Sequence, residues 1–246
     1  MPKTVGILGG MGPDATAAFF QKIIDLTPAS RDQEHIPVVL ISEPRIPDRC
    51  SYLMGFSGES PEPYLVELAQ RLEKAGADLI AMPCNTAHKF WPQIARGVAV
   101  PVLHIVDETL RVVRCRYPGA RSLGLLATTA TVSCGLYQEA ADEDFTWILP
   151  GGKSQAVVQG AIEAVKGHQD LAPHRKGFQR VVEEIASEGA EVVIYGCTEL
   201  GLFGVHVPDL AVVDSLEALA EAAVEQALLG EIGTSAGFGG FSAQSH

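Results

Sequence analysis

Short, continuously apolar runs alternate along this chain with longer stretches whose apolar residues recur at helical spacing. Residues 5–8, 38–42, 79–82 and 102–105 read as strands of a first half, and residues 123–127, 146–149, 192–195 and 212–213 as strands of a second. A strand with one wet face alternates apolar and polar side chains. Most of these do not, as expected of parallel strands covered on both faces. Between them, residues 14–26, 62–74, 132–142, 155–166, 171–187 and 216–229 carry helical patterns. Gly12-Pro13 opens the first, Ser60-Pro61 opens the second, and Ala75-Gly76 closes it. Strand and helix in alternation predict βα units and parallel sheets.

The halves resemble each other. Gly76-Ala77-Asp78 leads through an apolar strand to Cys84, and Gly189-Ala190-Glu191 leads through another to Cys197. Residue 189 against 76 and 197 against 84 give the same offset, 113. Val5-Gly6-Ile7-Leu8 before Gly9-Gly10-Met11-Gly12 is matched by Leu123-Gly124-Leu125-Leu126 before Ala127-Thr128-Thr129-Ala130, at an offset of 118 (123 against 5). Two matches in the same order suggest a duplicated α/β unit. Any parallel sheet repeats strand, turn and helix, so that alternative stays open. Residues 231–246 are rich in Gly and Ser, lack periodicity and are expected to be disordered.

Composition narrows the class of partner. Of 246 residues, 47% are hydrophobic and 20% charged, enough apolar material for a sizeable core. The net charge of −12 argues against nucleic acid and anionic membrane as partners, and any anion site must be built locally from a few cations and N–H groups. Met1-Pro2-Lys3-Thr4 runs straight into a strand, unlike a secretory signal, and no apolar run approaches the ~18 residues of a membrane span. A cytoplasmic protein is therefore expected. The five cysteines, Cys50, Cys84, Cys115, Cys134 and Cys197, are odd in number, widely spaced and expected to be free thiols.

Two of them sit where chemistry is expected. Met82-Pro83-Cys84-Asn85-Thr86-Ala87-His88 and Tyr195-Gly196-Cys197-Thr198-Glu199 each place a cysteine just past the carboxyl end of a buried strand. Ligands of open α/β sheets bind at those ends. The N–H groups of Asn85, Thr86 and Ala87 would open a helix, favouring a carboxylate there and a more readily ionised Cys84. If a pseudo-twofold axis relates the halves, the thiols face each other across one cleft. A proton could then leave one face of a carbon and return to the other. A structural cysteine is the bland alternative, and it is kept for Cys50, Cys115 and Cys134. Cys84 with His88 gives too few ligands for Zn²⁺, and thiols spanning a substrate carbon stand too far apart for the ~2 Å disulfide bond. His88 reads as a supporting or capping residue. The Gly9–Gly12 turn lacks both nucleotide-binding spacings. It could present N–H groups to a carboxylate, or simply be a tight turn. Thr128 and Thr129 could do likewise or cap a helix. Arg49, in a loop after a strand, and Lys166, at a helix end, read alone as surface charges.

Met-Pro-Cys-Asn-Thr-Ala-His at 82–88 and Gly-Cys-Thr-Glu-Leu at 196–200 resemble the paired signatures of the aspartate/glutamate racemase family. Gly-Ile-Leu-Gly-Gly-Met-Gly-Pro at 6–13, Ile-Pro-Asp-Arg at 46–49 and Gly-Leu-Leu-Ala-Thr-Thr at 124–129 resemble its aspartate racemase branch, and the likeness runs from residue 5 to about 229. The resemblance implies two pseudo-symmetric Rossmann-like domains of α/β class with parallel-rich sheets and the active site in the cleft between them. The expected division is 1–103 plus about 214–230, then 104–213. It implies cofactor-independent racemisation of a small acidic amino acid, aspartate first and glutamate second, with no metal and no PLP, by a protein that forms a homodimer. Cys84 and Cys197 would be the two acid/base groups. Asn85, Thr86 and Ala87 would hold the substrate α-carboxylate with help from Thr129 and Thr198. Arg49 and Lys166 match the family's cations near the side-chain carboxylate, and Met11 belongs to the first-half turn of the site. The chain departs from the pattern after Lys166, where Gly-His-Gln stands, and at Ala130-Thr131 and Ser133-Cys134-Gly135. A related isomerase or decarboxylase, of maleate isomerase type, and a non-catalytic binder of acidic metabolites are the competing readings.

Overall fold

The computed structural model describes residues 2–141 and 145–229; the expected disordered tail lies outside them. Two parallel sheets organise the chain. The first has strands β1 (Val5–Gly9), β2 (Val38–Ser42) and β3 (Leu79–Ala81) in the order β2-β1-β3. The second has β4 (Ser122–Leu126), β5 (Thr146–Ile148), β6 (Val192–Tyr195) and β7 (Ala211–Asp214) in the order β5-β4-β6-β7. In each sheet the first strand is flanked by the second strand of its half and by the strand leading to a cysteine. The registers correspond too: Ile7 pairs with Ala81, and Leu125 with Ile194.

The residues expected as a fourth strand, 102–105, behave differently. Only Val102 pairs, as a single bridge with Ile80. His104 then caps a helix that the strand reading missed, α5 (Ile105–Arg116), by accepting from Asp107 N–H at 3.3 Å. Ile105, Val106, Thr109, Leu110, Val112 and Val113 form its buried stripe. Four further helices precede it: α1 (Pro13–Leu26), α2 (Arg49–Leu53), α3 (Glu62–Lys74) and, after β3, the short α4 (Trp91–Arg96). The single helix expected over 132–142 is two, α6 (Thr129–Ser133) and α7 (Leu136–Ala140). Gly135, at φ 62°, takes a left-handed conformation between them that breaks the helix. The rest are α8 (Gly152–Lys166), α9 (Ala172–Ser187) and α10 (Ser215–Leu228).

The continuous apolar strands sort their side chains to two faces. Val5 and Ile7 of β1, and Leu123 and Leu125 of β4, share one central cluster with Phe19, Val106 and Leu219, from α1, α5 and α10. That helix layer therefore lies between the sheets. Leu8 faces the opposite way, onto Leu65, Leu68 and Leu72 of α3. Leu126 does the same with Val158 and Ile162 of α8 and Val182 of α9. Phe19 is fully buried in the shared layer, and truncating it to Ala is expected to cost about 3–5 kcal/mol. The glycine in each first strand is a matter of space. A Cβ on Gly6 would stand 2.7 Å from the Ala77 Cβ, and one on Gly124 would run into the Ile185 Cγ2. α10 packs on both α1 and α5, and Lys3 N–H donates to Ala227 C=O at 2.9 Å.

Candidate active site

Both sheets end in the same way. After β3 the chain passes through Met82 and Pro83 to Cys84; after β6 it passes through Gly196 to Cys197. The thiols are 6% and 5% exposed. The two turns meet, because the Thr198 hydroxyl oxygen lies 3.5 Å from Pro83 C=O. Lys166, the last residue of α8, lies close enough to couple to both cysteines. Residues from the two halves of the chain thus converge on one place.

Cys197 has a carboxylate neighbour. Its S–H donates to Glu199 Oε2 at 3.0 Å, and Thr198 O–H donates to the same oxygen at 3.0 Å. Burial first, and then the Glu199 charge, pushes the Cys197 thiol well above its ordinary value; Lys166 opposes. At neutral pH Cys197 is accordingly a thiol, able to give a proton. The chain beyond Cys84 is not the helix expected. It is a 3₁₀ turn, Thr86–Phe90, followed by α4. Pro92, in the first turn of α4, has no N–H to continue a helix from the preceding turn. Thr86 and Ala87 open the 3₁₀ turn, and their N–H groups have no acceptor within it.

Two cations flank this place. Arg49 is the first residue of α2, not a loop residue, and Asp48 caps that helix by accepting from Ser51 N–H at 2.7 Å. Arg49 is only 8% exposed. Its Nη1 donates to the Ile46 and Pro47 carbonyls at 3.4 and 3.3 Å, and its Nε is buried with no partner. Lys166 keeps solvent access although protein crowds it. Burial pulls its ammonium down, but Glu199, then Cys197 and Cys84, outweigh that and hold it above the ordinary lysine value. Among the described residues no carboxylate forms an ion pair with Arg49 or Lys166. Two cations without direct anionic partners thus stand beside the thiols in a chain of net charge −12.

The residues expected around the α-carboxylate are sharply divided. Asn85 is 3% exposed, and its side chain is already used: Nδ2 donates to Ser215 Oγ at 2.8 Å, and Tyr137 O–H donates to Oδ1 at 2.6 Å. The Thr86 hydroxyl sits between those of Thr128 and Thr131, at 3.1 and 2.9 Å, so it ties α6 to the cysteine turn. Thr128 is the N-cap of α6, accepting from Thr131 N–H at 3.1 Å. Thr129 N–H is taken by Gln159 Oε1 at 3.0 Å. Ala87 is fully buried, and Met11 is 2% exposed in the first-half turn. That turn needs its glycine: Gly10 has φ +99°, and a Cβ there would meet the Glu43 backbone. Its N–H goes to Thr16 Oγ1 at 2.9 Å.

His88 lies 2% exposed between two carbonyls, Cys84 C=O at 2.8 Å from Nδ1 and Leu103 C=O at 3.4 Å from Nε2. Burial, then His104, lowers its pKa to about 3, so the ring is neutral and braces the Cys84 turn. Among the described residues no group of three His, Cys, Asp or Glu gathers as a metal site would. The sequence motifs gave no role to Glu199, Tyr137, Ser215 or Thr131. The last three matter through contacts 45 to 130 residues away in the chain, which no local motif announces. Cys50 also lies near the site, hydrogen-bonded to Thr128 and close to Lys166 and Cys84, with burial pushing its thiol up.

Fold and site together define an α/β protein of two like halves, with paired buried thiols at equivalent strand ends beside a cationic site. The sequence profile described as Asp/Glu/hydantoin racemase matches residues 8–223, and the chain belongs to that family. It is an amino-acid racemase, and so an isomerase. The broad specificity amino-acid racemase RacX of Bacillus subtilis is 31% identical over 227 residues, spanning 89% of this chain and 96% of that protein. The Picrophilus torridus aspartate racemase structure is 33% identical, with a TM-score of 0.81 over 92% of this chain and 94% of that one. Thermus thermophilus glutamate racemase is 32% identical over 160 residues, which span 57% of its length.

Proposed function

We propose that this racemase inverts Cα of an acidic amino acid, aspartate first and glutamate second, without a cofactor and with Cys84 and Cys197 as opposed acid and base. The observation that carries the reading is the meeting of two buried thiol-bearing strand ends, through Thr198 and Pro83, beside Lys166. In one direction the Cys84 thiolate takes the α-proton while the Cys197 thiol delivers one to the opposite face. In the other direction the roles exchange. The hard step is removing a proton beside an anionic carboxylate. N–H groups of the 85–87 segment, aimed at that carboxylate as charge develops, lower the barrier. Arg49 and Lys166 take the side-chain carboxylate, and the likeness to an aspartate racemase supports that choice.

A wider substrate range is the second reading, and the likeness to RacX over nearly its whole length favours it. A chiral chromatographic assay over a panel of L-amino acids, with maleate and malonates alongside, separates the readings. Aspartate should lead the panel, and solvent deuterium should appear at Cα in D₂O. Cys84→Ala and Cys197→Ala should each abolish racemisation, since a positioned acid or base contributes about 10²–10⁴-fold and both are needed to invert. Near-full activity in either variant refutes the two-thiol mechanism.

A further inference from the structure

The site as described supplies donors for carboxylates. Arg49, Lys166 and the opening of the 85–87 turn all present N–H groups or positive charge. An amino acid brings one more group, an α-ammonium with three N–H donors, and it needs an acceptor. One buried acceptor stands unused. Glu199 is 2% exposed, and its two oxygens differ. Oε2 accepts from Cys197 and from Thr198, both at 3.0 Å, whereas Oε1 is buried with no hydrogen-bond partner. An unsatisfied carboxylate oxygen costs free energy unless something fills its place. Oε1 faces the first half of the chain: the Cβ position of Gly12 is 3.6 Å from it, and Lys166 Cγ is 4.0 Å from that same point. It therefore looks out between the two halves, beside Cys197 and towards the first-half turn. Gly12 has no side chain to close that space.

We propose that Glu199 Oε1 receives the α-ammonium of the substrate, and that this one oxygen restricts the enzyme to acids carrying a free amine. The inference rests on the racemase reading of the same site and adds the substrate class. Dicarboxylates without an amine would bring only negative charge against Glu199. N-acylated amino acids would bring a neutral amide with no charge to pair with Glu199. Glu199 is a binding residue in this reading, with its second oxygen positioning the Cys197 S–H.

Binding is the test. Glu199 also touches Cys197, so its loss would slow turnover whether or not it holds the ammonium. Isothermal titration of the full-length enzyme with L-aspartate and with succinate, its des-amino analogue, isolates the amine. Wild type should prefer aspartate by tenfold or more, the ordinary range for a hydrogen bond to a charged group. Glu199→Gln should lose most of that preference, weakening aspartate while strengthening succinate. Glu199→Asp, which keeps the charge, should retain the preference and serves if Glu199→Gln does not fold. A wild type that binds succinate as tightly as aspartate overturns the proposal without any variant. So does a Glu199→Gln enzyme whose preference stays within twofold of wild type. If wild type binds neither compound, the acidic substrate of the proposed function has failed instead. The comparison then moves to the amino acid the panel returns and its own des-amino analogue, with the same outcomes deciding.

Discussion

Replacing Tyr137 by Phe removes a hydroxyl that donates to Asn85 and also contacts Thr109 and Ser215, and leaves the ring in place. The Tyr137 ring is fully buried and meets Trp147 edge-on at 6.1 Å, and Phe preserves that packing. Its hydroxyl donates to Asn85 Oδ1 at 2.6 Å, and burial holds the phenol far above its ordinary pKa, so it remains a donor at every working pH. Without it, Asn85 Oδ1 is a buried acceptor with no partner, at a cost of about 1–3 kcal/mol. In a protein of this size each kcal/mol shifts Tm by about 2–4 °C, so a fall of about 2–12 °C is expected. Ser215 holds the other end of the same amide at 2.8 Å. Tyr137→Phe and Ser215→Ala should therefore couple in a double-mutant cycle by about 0.5–3 kcal/mol. Because Asn85 begins the segment assigned to the α-carboxylate, KM should rise several-fold. Thermal unfolding by circular dichroism, with initial rates over a substrate series, measures all three. A Tm within about 1 °C of wild type, with additive single variants, would refute the idea that this amide anchors the cysteine turn.

Asp214 caps α10, accepting from Leu216 N–H at 2.8 Å, and burial above all raises its pKa from 3.8 to about 6. The folded state thus holds its proton more tightly than the unfolded one. That contribution to stability is complete below pH 3.8 and is lost as pH rises through about 6. Asp214→Asn keeps a capping oxygen and should flatten this part of the Tm profile, adding on the order of 1–3 kcal/mol at pH 7. A variant whose melting profile keeps the wild-type slope there would contradict the assignment. Thiol labelling of the native enzyme should reach exposed Cys115 first, half-buried Cys50 and Cys134 more slowly, and Cys84 and Cys197 last. Mass spectrometry of labelled peptides gives the order, and early labelling of Cys84 or Cys197 would be inconsistent with their burial.

The parts of this structure that were legible in the sequence are those that short-range pattern encodes. Continuous apolar runs gave seven strands because both faces of each sheet are covered. The repeat from Gly76 and Gly189 put both cysteines at carboxyl ends, because the same strand has to end at the same depth in each sheet. Where the reading failed, a local signal was outweighed. The apolar stretch from Val102 looked like a strand, yet His104 stops the chain and caps α5, whose buried stripe was hidden behind that run. Gly135 lay inside an apparently helical window, and only its left-handed backbone reveals the break. Arg49 looked like a surface charge because nothing nearby in sequence shows that α2 turns it inward to 8% exposure. Glu199 sat two residues from Cys197 in plain view. Its role depends on an oxygen left without a partner after folding, and sequence spacing carries no information about that.

Equivalent strand ends carry the two thiols, but their surroundings are not equivalent. Cys197 donates to a carboxylate and is held as a thiol, whereas Cys84 precedes a turn braced by a neutral His88. Under the proposed two-thiol mechanism, Cys197 with its proton in place is the form prepared for the enantiomer that receives a proton there. Turnover of the other needs the proton of Cys197 moved first. Enantiomers in water have equal free energy, so kcat/KM must be the same in both directions however unequal the thiols are. The asymmetry can appear only in kcat and KM taken separately, with the enantiomer served by the prepared form differing from its mirror image in both by the same factor. Direction-resolved kinetics on wild type and on Glu199→Gln bear on this directly. Removing the carboxylate that holds the Cys197 proton should bring the two kcat values together. A ratio of kcat values unchanged by the substitution would mean that Glu199 does not set which thiol is loaded.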